Sequence, residues 1–367
     1  MQKKRIFAFM KTAGRIILWT TCTILFLLTA LSIIVPVILS PKRLTPIINN
    51  YAGRIPGADI RVSRASVSLF RHFPHATIVL DSGEVIVPSF RDIYPGADSL
   101  FVFDRLEAAL LPIPLLKGSV SISYLILSHA SLNLFRSRDS LSNWNLFNSN
   151  PDDTSSIDFW LDIKKLHIND GSEFTFHNAA DTVYYNTRIT DMMLTARHFS
   201  SLFDTRLETT SNTLVVGQTS FFNDIPFNVY GRTGFGIKPQ KGNVSLDFEE
   251  YLFDECHTIL GNVPVFIDGF MGLRDDSLDL RARCRVDSCN MSDLLNVIPG
   301  DLVPLKTELV ADMPLTLDIV LDGAYYYGQG NIPAFSAALA AGSGTLTYLP
   351  EEDLSFRGFN ADMSISY

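Results

Sequence analysis

The stretch "SVSISYLILSHASLNLF", residues 119–135, decides the fold class. Polar residues, mostly serine, occupy most of its odd positions, and apolar residues occupy its even positions except Ser128. The apolar members are Val120, Ile122, Tyr124, Ile126, Ala130, Leu132 and Leu134. Alternation with a period of two is typical of a β-strand with one buried and one solvated face. Leu125 and Leu127 break the alternation, so we expect this part of the strand to be covered on both faces.

The same alternation recurs along the chain, in "PFNVYGRTGFGI" (226–237), "NVSLDF" (243–248), "SLDLRARCRVD" (277–287) and "PLTLDIVLDG" (314–323). Turn-forming residues separate such runs. They are Asp81-Ser82-Gly83, Asn169-Asp170-Gly171, Lys241-Gly242-Asn243 and Asp275-Asp276. Because Asx-Gly pairs favour tight hairpins, these connections predict a largely antiparallel, meandering sheet.

The N-terminus carries one long apolar run. Residues 16–39 contain no charged residue, and a helix of this length reaches about 36 Å, enough for the hydrocarbon core of a bilayer. Five basic residues precede the run and two follow it closely, so the positive-inside rule predicts a cytoplasmic tail at 1–15 and an anchor at 16–39. A cleaved signal peptide is the alternative, but its apolar core is usually shorter and no convincing cleavage site follows.

Residues 40–54 predict a short amphipathic helix beside the membrane, ahead of a β region at 55–367. The helix begins either with Ser40 as cap and Pro41 first, or with Thr45 as cap and Pro46 first. Its apolar face either packs on the following sheet or rests on lipid headgroups. A second helix is predicted within 289–300, with Ser292 as its cap.

Charge and cysteine content exclude several classes of protein. The net charge is -9, which disfavours general nucleic-acid binding. Cys22 lies in the apolar run, and Cys256, Cys284 and Cys289 are too few for a disulfide framework. One bridge among these three stays open, with Cys284 and Cys289 the closest pair. Their spacing is not that of a zinc site.

Common catalytic motifs are missing from the sequence, including GxxxxGK[ST], GxSxG and HExxH. His72 and His75 have an HxxH spacing, but Pro74 between them argues for a turn rather than a metal-binding helix. The Arg281/Arg283/Arg285 row predicts a solvated sheet face, with contact to lipid headgroups or anionic sugars as the alternative. We therefore predict a protein that is not an enzyme and that needs no cofactor or metal.

Several motifs occur in an order that resembles the AsmA-like proteins of the bacterial envelope. An anchor is followed by a helix that ends at Gly53-Arg54, then by Ser68-Leu69-Phe70 with Pro74, although the family has one more residue between Leu and Phe. An Asn-Trp element follows at residues 142–147, and residues 166–178 resemble the next family hairpin. After residue 178 the resemblance is one of pattern.

The resemblance implies a mainly β protein with a single N-terminal transmembrane helix, a short amphipathic helix and a long curled antiparallel sheet that forms an open apolar groove. It implies an inner-membrane protein, largely periplasmic, that carries phospholipid towards the outer membrane, as the related chorein-type proteins transfer lipid. Family members are often longer, so we expect that this sequence stops within the β region.

Candidate groove residues are Val120, Ile122, Tyr124, Ile126, Leu132 and Leu134. The Asn-Trp element, with Asn143, Trp144 and Phe147, is predicted to be structural: its aromatic side chains pack on the sheet and its asparagines bond turn backbone groups. Two other functions stay open. The first is a scaffold for outer-membrane protein assembly, with envelope proteins as partners, and the second is a membrane-anchored enzyme acting on polysaccharide.

Overall fold

A computed structural model describes residues 19–23, 26, 29–30, 40–53, 55–111, 120–145, 159–196, 202–235, 250–274, 277–300, 303, 306–326, 333–349 and 354–367. The predicted tail, most of the predicted anchor, Phe147 and the turn at 241–243 lie outside these ranges. Within them, no helix is both long and apolar enough to cross a bilayer.

The described chain is mainly β, as predicted, and forms one large, curled, open sheet. The first eight strands are β1 (Asp59–His72), β2 (His75–Ile86), β3 (Ser99–Leu110), β4 (Val120–Arg136), β5 (Phe159–Asn178), β6 (Val183–Ala196), β7 (Leu202–Val216) and β8 (Thr219–Phe222). The next eight are β9 (Phe227–Phe235), β10 (Glu250–Leu260), β11 (Val263–Leu273), β12 (Ser277–Asn290), β13 (Leu309–Asp312), β14 (Pro314–Tyr326), β15 (Ala334–Tyr348) and β16 (Ser355–Ser366).

Most strands pair with the next strand in the chain, in antiparallel fashion. The prediction is wrong for β4 and β5, which pair in parallel. A parallel pair needs a connection that returns to the starting end of the first strand, which a tight turn cannot provide. Residues 137–145, which include the start of the Asn-Trp element, begin this return.

Two predicted turns are also wrong. Ser82 and Gly83 lie inside β2, and Asp170 and Gly171 lie inside β5. Ser82, Asp170 and Gly171 have φ of 51°, 61° and 75°. The register between β5 and β6 shifts at Asp170 and Gly171, as it does at a β-bulge. Asx-Gly and Ser-Gly pairs adopt positive φ in tight turns and in β-bulges alike. Their presence in a sequence therefore does not distinguish a turn from a bulge.

The first helix covers one edge of the sheet. Helix α1 (Pro41–Ala52) has Ser40 at its N-cap position and Pro41 at its start, which decides between the two predicted starts. It packs against β1, the first strand of the sheet. This edge strand is therefore shielded by a helix, one of the ways in which proteins protect exposed sheet edges.

The other edge is formed by β16. Strands β13 and β14 pair with successive parts of β15, and β16 pairs with the same parts of β15 from the opposite side. Helix α2 (Met291–Val297) packs against β12 and β13, and its cap is Asn290, whose side chain accepts from Ser292 N at 3.0 Å, rather than the predicted Ser292. Short 3-10 helices occupy Pro88–Phe90 and Lys306–Glu308.

A compact apolar cluster forms where β3, β4 and the Asn-Trp element meet. Its buried members include Val87, Phe90 and Phe135, and Trp144 packs against them. We call this group, together with Asn143, the Asn143 corner. A second cluster, around Met313 and Leu315, packs under helix α2. These two clusters are where the described sheet is covered by a further layer of side chains.

Candidate functional site

The register of the sheet assigns its side chains to two faces, because directly paired residues project to the same side. One continuous row of paired residues crosses nine strands, from β1 to β10, and is almost entirely apolar. We call it the apolar row; it consists of Ala65, Leu80, Leu106, Leu127, Ile168, Met192, Leu207, Val229 and Thr258.

The row continues on the same side to the far edge of the sheet. Thr258 pairs with Val265, and Val265 lies two residues before Ile267, so both project to one face. From there the paired residues are Ile267, Cys284, Ile319, Ala337 and Ile365. The apolar row and this continuation define the apolar face. It crosses fourteen strands, which at about 4.8 Å per strand gives a path of roughly 62 Å.

The opposite face is polar and is crossed by ion pairs. Its central row, the polar row, consists of Ser66, Val79, Glu107, Ile126, His167, Met193, Arg206, Tyr230, His257, Phe266, Arg285, Asp318, Ala338 and Ser364. Ion pairs here include Arg105 with Glu107 at 2.9 Å, His167 with Asp191 at 2.8 Å, Arg206 with Glu208 at 2.8 Å and Arg283 with Asp318 at 2.6 Å.

Solvent exposure differs between the two faces. On the polar face, the side chains of Arg281 and Asp322 are 80% and 74% exposed. On the apolar face, Leu127, Ile168 and Leu207 are half-buried, and each pairs with apolar residues in the adjoining strands. The predicted solvated face for the arginine row therefore agrees with the register, and along the two central rows one side of the sheet is apolar and the other carries ion pairs.

The predicted groove residues divide between locations. Ile126 lies in the polar row between Glu107 and His167. Tyr124 projects to the same face as Ile126, and its ring lies 5.7 Å from the ring of His72 and 5.0 Å from that of His75. Ile122 is half-buried two residues before Tyr124, and the Val120 side chain lies outside what the structure describes.

Leu132 and Leu134 lie at the other end of β4, where they pack against the Asn143 corner. The residues of β4 on the apolar face are instead Leu125 and Leu127, which pair with Leu166 and Ile168. These are the two residues that interrupt the alternation of the opening stretch.

The apolar positions of β4 change phase at His129, which has a φ of 47° and so leaves the extended conformation. Before His129 the odd positions Leu125 and Leu127 project to the apolar face, and after it the even positions Leu132 and Leu134 are the apolar ones. Strand β3 shows the same change, from Phe101 and Phe103 to Leu106 and Ala108. In both strands, then, the apolar residues switch between odd and even positions at the same level of the sheet. This switch is the sequence feature that could have indicated the apolar face.

The Asn-Trp element is built around a fully buried amide. Asn143 is 0% exposed, its Oδ1 accepts from Phe135 N at 3.0 Å, and its Nδ2 donates to Ala97 O at 2.8 Å and to Asn133 O at 2.9 Å. Trp144 lies 6.1 Å from the ring of Phe176 in β5. These contacts fasten the start of the β4–β5 connection to the sheet, as predicted for Asn143 and Trp144.

The titratable groups near the two faces have simple surroundings. Burial raises the pKa of the Cys256 and Cys284 thiols, both on the apolar face, so they stay protonated near neutral pH. Cys22, Cys256, Cys284 and Cys289 all have free thiols, so the bridge left open by the sequence is not formed. On the polar face, hydrogen bonds from Arg283 lower the pKa of Asp318.

A metal centre is not built by the part of the chain that the structure describes, because no three His, Cys, Asp or Glu side chains converge there. His72 and His75 end β1 and begin β2, and the Nδ1 atoms of these residues contact Thr77 Oγ1 and His72 O. A depression of 490 Å³ lies between Arg285, Asp318, Ala338, Ala340 and Asp362. Asp318 and Ala338 belong to the polar row, so this depression opens on the polar face.

No protein-family model matches the chain, and no curated protein matches it.

Proposed function

We propose that this protein is a membrane-anchored lipid conduit of the bacterial envelope, which carries phospholipid along the apolar face towards the outer membrane. One observation supports the proposal above all others. The two rows that define the apolar face contain no charged residue across fourteen strands, while the ion pairs Arg105–Glu107, Arg206–Glu208 and Arg283–Asp318 lie on the opposite face. This surface suits acyl chains over a distance greater than one lipid length.

The energetics favour such a ligand. Each methylene that an acyl chain removes from water contributes about 0.8 kcal/mol. Half-buried leucine and isoleucine side chains, such as Leu127, Ile168 and Leu207, still expose surface to which a chain can bind. Successive rows offer similar contacts, so a lipid moves from strand to strand between sites of similar free energy. Movement of this kind needs no catalytic group.

The proposed location follows from the N-terminal sequence. Residues 16–39 serve as a single anchor in the inner membrane, with residues 1–15 in the cytoplasm and the sheet in the periplasm. The order of motifs at 39–85, 142–147 and 166–178 makes membership of the AsmA-like family part of the same proposal. In that reading the protein is not an enzyme, and phospholipid is its ligand.

A second candidate function is a scaffold for envelope assembly, and the far edge of the sheet favours it. Strand β16 carries Met363 and Ile365 with 64% and 61% exposure, and Phe356 with 52%. Exposed apolar side chains on an edge strand are typical of surfaces that pair with another protein. In this alternative, outer-membrane or other envelope proteins are the partners.

Photo-crosslinking in cells tests the conduit with an internal control. Leu127 and Ile126 are adjacent aliphatic residues of β4, both half-buried, which project to opposite faces. A diazirine-bearing amino acid at each position captures whatever lies beside it. We expect phospholipid adducts at Leu127 and few at Ile126. Equal adducts at both positions, or adducts at Leu127 only to other proteins, would reject the conduit, and the second result would favour the scaffold.

A further inference from the structure

Two polar side chains of helix α1 are hydrogen-bonded to the edge of the sheet. Thr45 Oγ1 accepts a hydrogen bond from Ala65 N at 2.9 Å. Asn49 Oδ1 accepts from Val62 N at 2.9 Å, and Asn49 Nδ2 donates to Val62 O at 3.0 Å. These side chains take the place of a neighbouring strand along the edge of β1, and Leu44 and Ile48 of the same helix are half-buried.

The outer side of the same helix carries two exposed apolar side chains. Ile47 and Tyr51 are 49% and 61% exposed, and they are one turn apart. At 100° per residue they point roughly opposite to Thr45 and Asn49, away from the sheet. A helix packed on a water-soluble protein normally keeps large apolar side chains off its outer side. Arg43 is exposed next to this outer side, and Lys42 is exposed in the same first turn of the helix.

The position of α1 in the chain identifies what covers this surface. The helix begins at Pro41, two residues after the uncharged run at 16–39 ends. If that run is the anchor, the first turn of α1 emerges at the lipid headgroups. An apolar side flanked by basic residues is the pattern of a helix that lies in the membrane interface, where Lys and Arg contact anionic lipids.

We propose that α1 docks on the bilayer that holds the anchor, with Ile47 and Tyr51 in the interfacial layer and Lys42 and Arg43 among the headgroups. This inference rests on the proposed anchor and not on lipid transport. It goes beyond the conduit because it fixes the orientation of the sheet. Strand β1 lies on the side of α1 away from the lipid, so the strands stack outwards from the membrane.

The docked orientation places the start of the apolar face next to the lipids. Ala65 is the first residue of the apolar row, and its backbone N–H donates to Thr45 Oγ1 of α1. A helix with its side chains is about 10–12 Å across, so this residue lies about one helix diameter from the bilayer surface. An acyl chain leaving the membrane then meets β1 and β2 first.

The test uses the full chain in nanodiscs of phosphatidylethanolamine and phosphatidylglycerol. A diazirine-bearing amino acid replaces Ile47, and a matched probe replaces Leu141, which is 57% exposed in the connection after β4. We expect several-fold more phospholipid adducts at Ile47 than at Leu141. Equal yields in discs that retain the protein after an alkaline wash would overturn the docking. Loss of the protein from the discs would overturn it as well, because the anchor would then be wrong.

A second variant separates docking from folding. Ile47→Ser with Tyr51→Ser should lower the phospholipid adducts of a probe at Asn50, which is exposed on the same outer side. The amides of Val62 and Ala65 should keep their protection from hydrogen exchange, since their partners Asn49 and Thr45 are unchanged. Unchanged adducts at Asn50 would reject the role of the outer side. Adducts at Ile47 with none at Leu127 would keep the docking and reject the conduit.

Discussion

The Asn143 corner and the apolar face use the same kinds of residue, but they pack them differently. In the corner, Phe90 and Phe135 are 6% and 3% exposed and surround an asparagine that is fully buried. On the apolar face, Leu127 and Ile168 keep part of their surface open. Stabilisation grows with the apolar area removed from water, so the corner contributes more stability per residue. The surface that the apolar face leaves open is available to a ligand.

This difference separates two kinds of substitution. A change in the corner should lower the free energy of unfolding and leave lipid contacts on the remaining sheet unaltered. A change on the apolar face should alter lipid contacts at a smaller cost in stability. Exposed ion pairs of the polar face, such as Arg283 with Asp318, should be the least sensitive of the three, because they are screened by water and salt.

The largest loss of stability is expected for Asn143→Ala. The substitution removes three side-chain hydrogen bonds and leaves Phe135 N, Ala97 O and Asn133 O without these partners inside the corner. We expect the free energy of unfolding to fall by about 3 kcal/mol. Urea unfolding of the full chain in detergent, followed by tryptophan fluorescence, measures the change.

The control for this variant comes from the same motif. Asn145 is exposed, and Asn145→Ala should change the unfolding midpoint very little. If both alanine variants have the same midpoint, the corner does not hold the β4–β5 connection in the way described.

An intermediate effect is expected for a charge on the apolar face. Leu321 and Val320 are adjacent in β14, but Leu321 pairs with Ala282 and Phe335, while Val320 pairs with Arg283 on the polar face. Leu321→Asp should reduce the phospholipid that copurifies with the protein and should cost about 1 kcal/mol of stability, because the site is half-buried. Lipid phosphorus per mole of protein measures the occupancy.

Val320→Asp is the matched control, since Val320 is 38% exposed on the other face. It should leave the bound phospholipid unchanged. Equal losses of lipid in the two aspartate variants would show that the faces do not differ in the way that the register indicates.

Much of this architecture follows from the sequence, and the exceptions have physical causes. Period-two alternation predicts a mainly β chain because it is a property of each strand alone. The face to which a side chain projects depends on backbone conformation within the strand, and Ser82, His129 and Asp170 each have positive φ in mid-strand. Around His129 the phase changes, so even positions of β4 that look equivalent in sequence lie in different surroundings.

The parallel pairing of β4 with β5 was also beyond prediction from local pattern. Pairing direction depends on how far the chain travels between strands, and the intervening residues 137–158 contain no helix-like period that would mark a crossover. The register that reveals the apolar row passes through this pair, from Leu127 to Ile168. The candidate surface could therefore be recognised only after the pairing was known.

The smallest effect is expected on the polar face, for Asp318→Asn. Arg283 donates to Asp318 through Nε at 2.9 Å and Nη2 at 2.6 Å, which lowers the pKa of Asp318. In the unfolded chain the Asp318 carboxylate binds a proton more readily than in the folded chain. The stabilisation is therefore present above the unfolded pKa of about 3.9, and it is lost as the pH falls through the lower folded pKa. Wild-type protein should thus lose slightly more stability on acidification than the variant, and added salt should remove the difference. The urea midpoint of both proteins, measured as a function of pH, tests this. If Asp318→Asn lowered the free energy of unfolding as much as Asn143→Ala does, and added salt did not change this, the polar face and not the corner would hold the sheet together.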